Sequence, residues 1–226
     1  MEEKPAPSGP SRPNACAGEH PVLMELLVGA LGTGDVFLDI GANTGFFVLP
    51  IAELVGSDGR VLAFEPAPDA AHVLRSAART RGVLSRISLY EIALSDEVGS
   101  LALRADPAHP DDTTKRSLFM DDGPVVAKVP IRRLDELVDS GDVELSLGID
   151  AVKIDVEGAE VRVLRGMRRT LERHRPRMIV IETIEGHLSR AGSSVADVDA
   201  FMRDLGYGRL DEGTRGLELN AVFAPT

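Results

Sequence analysis

The stretch Val36-Phe37-Leu38-Asp39-Ile40-Gly41-Ala42-Asn43-Thr44-Gly45-Phe46-Phe47 constrains the fold more than any other part of the chain. An apolar run ends in an acid, passes through a glycine-punctuated turn and opens into a helical pattern, the sequence form of a strand, tight turn and helix. A second apolar run, Val61 to Glu65, also finishes in a carboxylate, followed by Pro66. Two strands that each end in an acid beside a glycine turn predict an open, mostly parallel sheet with a ligand at the carboxyl ends of its strands.

The nature of the ligand follows from what the turn contains and lacks. Gly41 and Gly45 allow a tight turn and a close approach by backbone. A dinucleotide fingerprint would put glycines at 41, 43 and 46, whereas Asn43 and Phe46 stand at two of those places. A phosphate also favours a helix N-terminus without a neighbouring anion, and Asp39 lies two residues before the first glycine. A carboxylate there suits the ammonium or sulfonium of S-adenosylmethionine, and Glu65 suits the two hydroxyls of its ribose. Two other classes use the same crevice: a dinucleotide-dependent oxidoreductase, and a protein that binds the cofactor without catalysis. Asp39, Asn43 and Phe46 argue against the first; Lys153, Asp155 and Glu182 argue against the second.

Composition narrows the partners. With 25 basic and 36 acidic side chains the formal net charge is −11, which repels nucleic acid and anionic membrane. The expected partner is a small neutral or cationic acceptor. Cys16 is the only cysteine, so no intramolecular disulfide and no cysteine-based metal site is available. No run reaches the roughly 18 to 20 apolar residues of a membrane span, and the amino terminus lacks a secretory pattern, so a cytoplasmic enzyme is expected.

Along the chain, residues 1–18 read as a flexible tail and 19–226 as a single domain. Helical spacing predicts helices over Glu19 to Leu31, after the first strand to about Val55, Pro68 to Arg81, Leu134 to Val138, Ala159 to about His174 and Val195 to Leu205. Strands are expected at 36–41, 61–65, 87–94, 151–156 and 177–184. Ser100 to Arg104 reads as an edge hairpin, and Val125 to Ile131 as extended chain. Tyr207 to Leu210 and Leu217 to Phe223 read as a closing antiparallel hairpin. The segment Asp106 to Gly123 interrupts the alternation as a long loop, in the manner of a lid or a disordered stretch. Alternating strands and helices predict a doubly wound α/β fold, here with a mostly parallel seven-stranded sheet ending in an antiparallel hairpin.

Five blocks in order carry a resemblance. Asp39 to Phe46, Phe64-Glu65-Pro66, Ala93-Leu94-Ser95-Asp96, Leu134-Asp135-Glu136-Leu137 and Lys153-Ile154-Asp155-Val156-Glu157-Gly158-Ala159-Glu160 resemble those of FkbM-type methyltransferases, over about residues 36–185. The resemblance implies a Rossmann-like class I methyltransferase fold. It also implies S-adenosylmethionine-dependent methyl transfer, commonly to a hydroxyl of a sugar or a polyketide-like natural product. It further implies that Gly41, Asn43 and Gly45 line the methionine and ribose side of the cofactor, that Glu65 holds the ribose diol, and that Ala93, Leu94 and Ser95 wall the adenine. Ser117-Leu118 is similar to the serine-leucine that ends the family's mobile loop.

The fourth strand block holds the most chemistry. Strand alternation puts Lys153 and Asp155 on the face opposite Val152, Ile154 and Val156. A lysine inside a covered sheet needs an anionic partner, and Glu182 is the expected one. A hydroxyl acceptor has a pKa near the roughly 15.7 of water and must lose its proton. Asp155 or His187 is the expected base, with Glu182 in the same titratable cluster. A divalent ion held by Asp155, Glu157, Glu182 or His187 is a second possibility, magnesium before zinc on an oxygen-rich ligand set, but no spacing demands one and no metal is assigned. Arg162, Arg165, Arg169 and Arg173 form a stripe opposite Leu164, Met167 and Leu171, the solvated face of an amphipathic helix rather than a nucleic-acid surface.

Overall fold

The computed structural model describes residues 15–113, 115–118, 120, 122–210 and 217–226. In chain order the elements are α1 (Ala15–Ala30), β1 (Val36–Ile40), α2 (Val48–Leu54), β2 (Arg60–Phe64), α3 (Pro68–Thr80), β3 (Ile87–Tyr90), β4 (Ala93–Leu94), β5 (Gly99–Ala105), β6 (Arg116–Ser117) and β7 (Val125–Arg132). They continue with α4 (Leu134–Ser140), β8 (Ala151–Ile154), α5 (Glu160–Gly166), α6 (Arg168–His174), β9 (Met178–Glu182), α7 (Glu185–Arg190), α8 (Val195–Asp204), β10 (Tyr207–Arg209) and β11 (Asn220–Pro225). The first helix starts at Ala15 rather than Glu19, and residues 1–14 of the expected tail lie outside the described residues. Among the described residues no helix is long and apolar enough to cross a membrane.

The main sheet has seven strands in the order β10-β11-β9-β8-β1-β2-β3. All neighbours are parallel except β11, which runs antiparallel to both β9 and β10. This is the expected doubly wound, Rossmann-like sheet with its closing hairpin. Strand alternation divides the core in two. Val36, Leu38, Ile40, Val152, Ile154, Ile179 and Ile181 face α5, α6 and α8. Phe37, Val61, Ala63, Ala151, Val180 and Val222 face α1, α2 and α3. Nearly every one of these side chains is fully buried, and each valine, leucine, isoleucine or phenylalanine contributes about 1.5–3 kcal/mol over leaving it in water. The sheet is therefore covered on both sides, as parallel sheets require.

Three expectations changed in detail. The third strand does not run through to Leu94: β3 stays in the main sheet, while Ala93 and Leu94 pair in parallel with Ile131 and Arg132 of β7. Ser100 to Arg104 is not an edge hairpin either. It belongs to β5, which pairs antiparallel with β7 in a second, four-stranded sheet of order β4-β7-β5-β6. Periodicity shows that a segment is extended but not which partner satisfies its backbone, and here the partner lies across the long loop. The helix after the fourth block is also broken, with Met167 joining α5 to α6.

The edge of the sheet away from the site is held by Arg177. Its Nη1 bonds Asp150 Oδ1 at 2.7 Å, its Nε donates to the Ala30 carbonyl at 2.8 Å, and it pairs with Asp35. Asp150 Oδ2 in turn accepts from the Val36 amide at 2.8 Å. The amino ends of β1 and β9 are thus tied to α1, which leaves the carboxyl ends as the open edge.

Candidate active site

At that open edge lies a cavity of about 590 Å³, of the size that takes small-molecule and cofactor ligands. Its walls come from the turns after β1, β2, β8 and β9, from β4 and the residue before it, and from the segment between β5 and β7. Of the residues singled out from sequence, Gly41, Asn43, Glu65, Ala93, Leu94, Asp155, Glu182 and His187 share this wall. Asp39, Gly45 and Ser95 do not reach it and stand behind it.

The turn after β1 is built to satisfy itself. Gly41 and Ala42 donate their amides to the Phe64 carbonyl at 2.9 and 3.1 Å, and Gly45 donates to Ala42 at 2.9 Å. The Asn43 amide donates to Glu65 Oε2 at 2.7 Å, and the Thr44 amide to Asn43 Oδ1 at 2.8 Å. Every amide from 41 to 45 is therefore committed, and the turn is no phosphate cradle. Asn43 sits in the left-handed region at φ 47°, which its short polar side chain tolerates. Gly41 is at φ 87°, and a Cβ there would lie 1.8 Å from the Asp155 carbonyl oxygen. The close approach that demands glycine is thus between the ends of β1 and β8. Gly45, at φ 94°, is pressed by Leu74 of α3, which explains why it packs behind the wall. Glu65 is buried, receives the Ala67 amide on Oε1 at 2.8 Å, and is pushed above the ordinary glutamate range chiefly by burial. Each of its oxygens keeps a further lone pair for a hydroxyl.

Behind the turn runs a buried line of charge. Asp39 and Lys153 are register partners on adjacent parallel strands. Lys153 Nζ lies 3.6 Å from Asp39 Oδ1 and 3.1 Å from Asp155 Oδ2, with the ring of Phe47 beneath it at 5.1 Å. The expected Lys153–Glu182 pair is therefore replaced by pairs to Asp155 and Asp39, while Glu182 acts on the ammonium only as a more distant charge. The reason is register: Lys153 stands opposite Val180 on β9, two residues short of Glu182, and opposite Asp39 on β1. Burial works against the Lys153 ammonium, yet Asp155 and Asp39 together hold it above the ordinary lysine range. Burial pushes the Asp39 carboxyl up to about 6, and neither of its oxygens has a hydrogen-bond partner among the described residues. Asp39 thus faces the lysine, not the cavity.

Three further groups converge beside Asp155. His187 Nδ1 lies 3.0 Å from Glu157 Oε2 and 3.3 Å from Glu182 Oε2. His187 sits on α7, a short helix absent from the sequence expectations because six residues show too little periodicity. Glu157 takes a left-handed backbone at φ 55°, and its carbonyl accepts from Ser117 Oγ at 2.9 Å. Burial and then the charges of Glu182 and Asp155 push its carboxyl up to about 9. Glu160, buried behind this turn, accepts the Val156 and Gly158 amides at 3.1 Å each, and burial pushes it up to about 7. That internal brace was not apparent from sequence, where Glu160 stands only as the last residue of the block that begins at Lys153.

The opposite wall is apolar. Ala93 and Leu94 lie on it with Ile92, Leu103 and Leu118. Ser95 instead donates its amide to Arg132 at 2.9 Å and presses its carbonyl on Gly166 of α5, where a Cβ would come within 1.9 Å. The long loop closes over this end: Arg116 forms a two-pronged pair with Asp69 at 2.6 and 2.8 Å, and Thr113 Oγ1 donates to Asn43 Oδ1 at 3.1 Å.

A glycine turn without free amides, a buried carboxylate positioned for a diol and an apolar wall fit an adenosyl group better than a diphosphate. The comparison with known proteins decides the matter: the profile of the methyltransferase FkbM domain matches residues 39–208. The chain belongs to the FkbM methyltransferase family. It is 32% identical over 221 residues to the 31-O-demethyl-FK506 methyltransferase FkbM of Streptomyces tacrolimicus, covering 86% of this chain and 82% of that one. It is 29% identical over 203 residues to methyltransferase sdnD of Sordaria araneosa, covering 78% and 75%. Among solved structures, the O-methyltransferase TomG of Streptomyces achromogenes, in complex with S-adenosylmethionine, matches with a TM-score of 0.55 at 15% identity over 96% of this chain and 91% of that one, a likeness of fold. The protein is accordingly an S-adenosylmethionine-dependent methyltransferase, and the class I fold read from its sequence is the observed one.

Proposed function

We propose that this family member methylates a hydroxyl oxygen of a small molecule, a sugar or a polyketide-like natural product, with Asp155 taking the proton. The observation that carries the reading is one cavity whose turn amides are all internally bonded and whose far rim holds Asp155, Glu157, Glu182 and His187. The relatives named for O-linked or general methyl transfer support it. The residues that would hold the cofactor are Glu65 at the ribose, Gly41 and Asn43 along the turn, and Ala93 and Leu94 against the adenine. When bound, S-adenosylmethionine supplies a methyl group made transferable by the sulfonium.

The chain's own residues do the rest. The apolar wall and the loop pinned by Arg116 exclude water, and the rigid β1 and β8 turns hold the reacting groups in line. Asp155 reaches the cavity while its Oδ2 is anchored by Lys153, which fixes its direction. An acceptor oxygen that loses its proton to Asp155 becomes the nucleophile. The net charge of −11 and the engagement of Arg162 with Asp96 and Glu97, and of Arg169 with Asp135 and Asp139, support an acceptor that is not nucleic acid. The same reading takes residues 19–226 as one catalytic domain acting in the cytoplasm.

Calorimetry with S-adenosylhomocysteine and with NAD separates methyl transfer from hydride transfer: tight binding of the first and none of the second is expected. Transfer of labelled methyl to candidate sugars and polyketides should then fall at least about 100-fold in Asp155→Asn with S-adenosylhomocysteine binding kept, the usual range for loss of a general base. Full turnover by that variant would remove Asp155 as the base.

A further inference from the structure

We propose that Glu157, Glu182 and His187 form a binding site for one divalent first-row metal ion at the acceptor end of the cavity. The set is not a patch of surface acids. It draws one ligand atom from each of three chain segments, the turn after β8, the end of β9 and α7, and these atoms all lie within 4.8 Å of one another. All three residues line the cavity, and Glu182 is almost completely buried.

Each donor is fixed by its own contacts. Glu182 ends a strand hydrogen-bonded on both sides. Glu157 is turned inward by its left-handed backbone and by the Ser117 hydroxyl on its carbonyl. Gly158 packs on the His187 carbonyl so tightly that a Cβ would sit 2.5 Å from it, which locks the turn after β8 to α7. Such preorganisation is what a metal centre needs from its surroundings.

One imidazole nitrogen brings the two carboxylates together. The imidazole Nδ1 carries at most one proton, yet it stands within 3.3 Å of an oxygen from each of two carboxylates. A dication satisfies all three donors at once and balances the two carboxylate charges. Two oxygens and one imidazole nitrogen suit manganese, iron or zinc better than magnesium or calcium, and three protein ligands leave positions open for water and an acceptor oxygen.

The site deepens the proposed reaction and rests on it only for its purpose. An acceptor hydroxyl drawn to the ion has its pKa lowered. The acceptor oxygen then gives its proton to Asp155 and takes the methyl group, and the electron pair of the broken carbon–sulfur bond stays on sulfur.

The test uses the full chain stripped with chelator, titrated with MnCl2 and followed by calorimetry and by electron paramagnetic resonance of free manganese. Each variant's titration with S-adenosylhomocysteine serves as the control for folding. One saturable manganese per chain is expected, weakened at least about tenfold in His187→Ala and in Glu157→Gln while the homocysteine product still binds. Wild-type protein that binds the product but takes up no manganese, or variants that bind the ion as well as wild type, would overturn the site. Manganese uptake without any binding of S-adenosylhomocysteine would leave the site standing and count against the methyl-transfer reading instead.

Discussion

Replacing Lys153 by methionine keeps the bulk of the side chain and deletes its charge, leaving Asp39 buried beside an apolar neighbour. Asp39 is 1% exposed and has no other cation within bonding distance among the described residues. Two outcomes compete. If Asp39 stays charged, the loss is that of breaking a buried pair, about 3–5 kcal/mol. If it takes up a proton on folding, the penalty is about 1.36 kcal/mol for each pH unit above its ordinary 3.8, hence about 6 kcal/mol at pH 8 and about 2 at pH 5. The cheaper route wins at each pH, so the variant should lose about 3–5 kcal/mol at pH 8 and about 2 kcal/mol or less at pH 5. The sign follows from a carboxyl whose folded pKa is raised: its contribution is fully present below 3.8 and is lost as pH rises. In melting temperature this is a fall of about 6–20 °C at pH 8, at about 2–4 °C per kcal/mol for a chain of this size. Scanning calorimetry at the two pH values measures it. The double change Asp39→Leu with Lys153→Met should recover most of the loss, because it leaves no carboxylate fully buried at this point of the sheet, the Asp155 side chain being 28% exposed. An equal loss at both pH values, or no recovery in the double variant, would refute the account of Lys153 as the counter-ion of Asp39.

Other expectations follow from single contacts. Gly41→Ala places a Cβ 1.8 Å from the Asp155 carbonyl at a left-handed φ, so it should lower the melting temperature by about 5 °C or more and weaken S-adenosylhomocysteine at least about tenfold by calorimetry. Glu65→Gln leaves one oxygen to accept two backbone amides, those of Asn43 and Ala67, so a buried donor loses about 1–3 kcal/mol of compensation and product affinity should drop about tenfold or more. Glu157 has a folded pKa pushed from 4.5 up to about 9, so in metal-free buffer its protonated form stabilises the fold below 4.5 and that contribution fades as pH climbs to 9. Glu157→Gln should therefore gain stability relative to wild type between pH 6 and pH 9 in urea melts, and parallel curves would contradict this.

The chemistry at the head of the site was legible in the amino-acid order because it is local. Asp39 to Phe46 must be a strand, turn and helix on spacing alone, and Glu65 must end the next strand; both lie within one strand–helix–strand unit whose geometry leaves little choice. The same locality made Gly41 and Asn43 conspicuous, although the reason for Gly41 proved to be the carbonyl of Asp155, more than a hundred residues further on. The acid end was legible only as a set of residue types. Asp155, Glu182 and His187 could be grouped because strand ends collect at one edge, but not paired.

What the chain determined by itself is the layered α/β architecture and the side of the sheet that binds, because both follow from alternation, turn chemistry and the handedness of strand–helix–strand crossovers. What only tertiary structure decided is partnership. Register put Lys153 beside Asp39 and Asp155 instead of Glu182, the pairing of Ala93 and Leu94 with β7 moved them into a second sheet, and the packing of Gly158 on α7 brought His187 to Glu157. Such contacts join residues far apart in sequence, and their energies depend on distances of a few tenths of an ångström that no local pattern encodes.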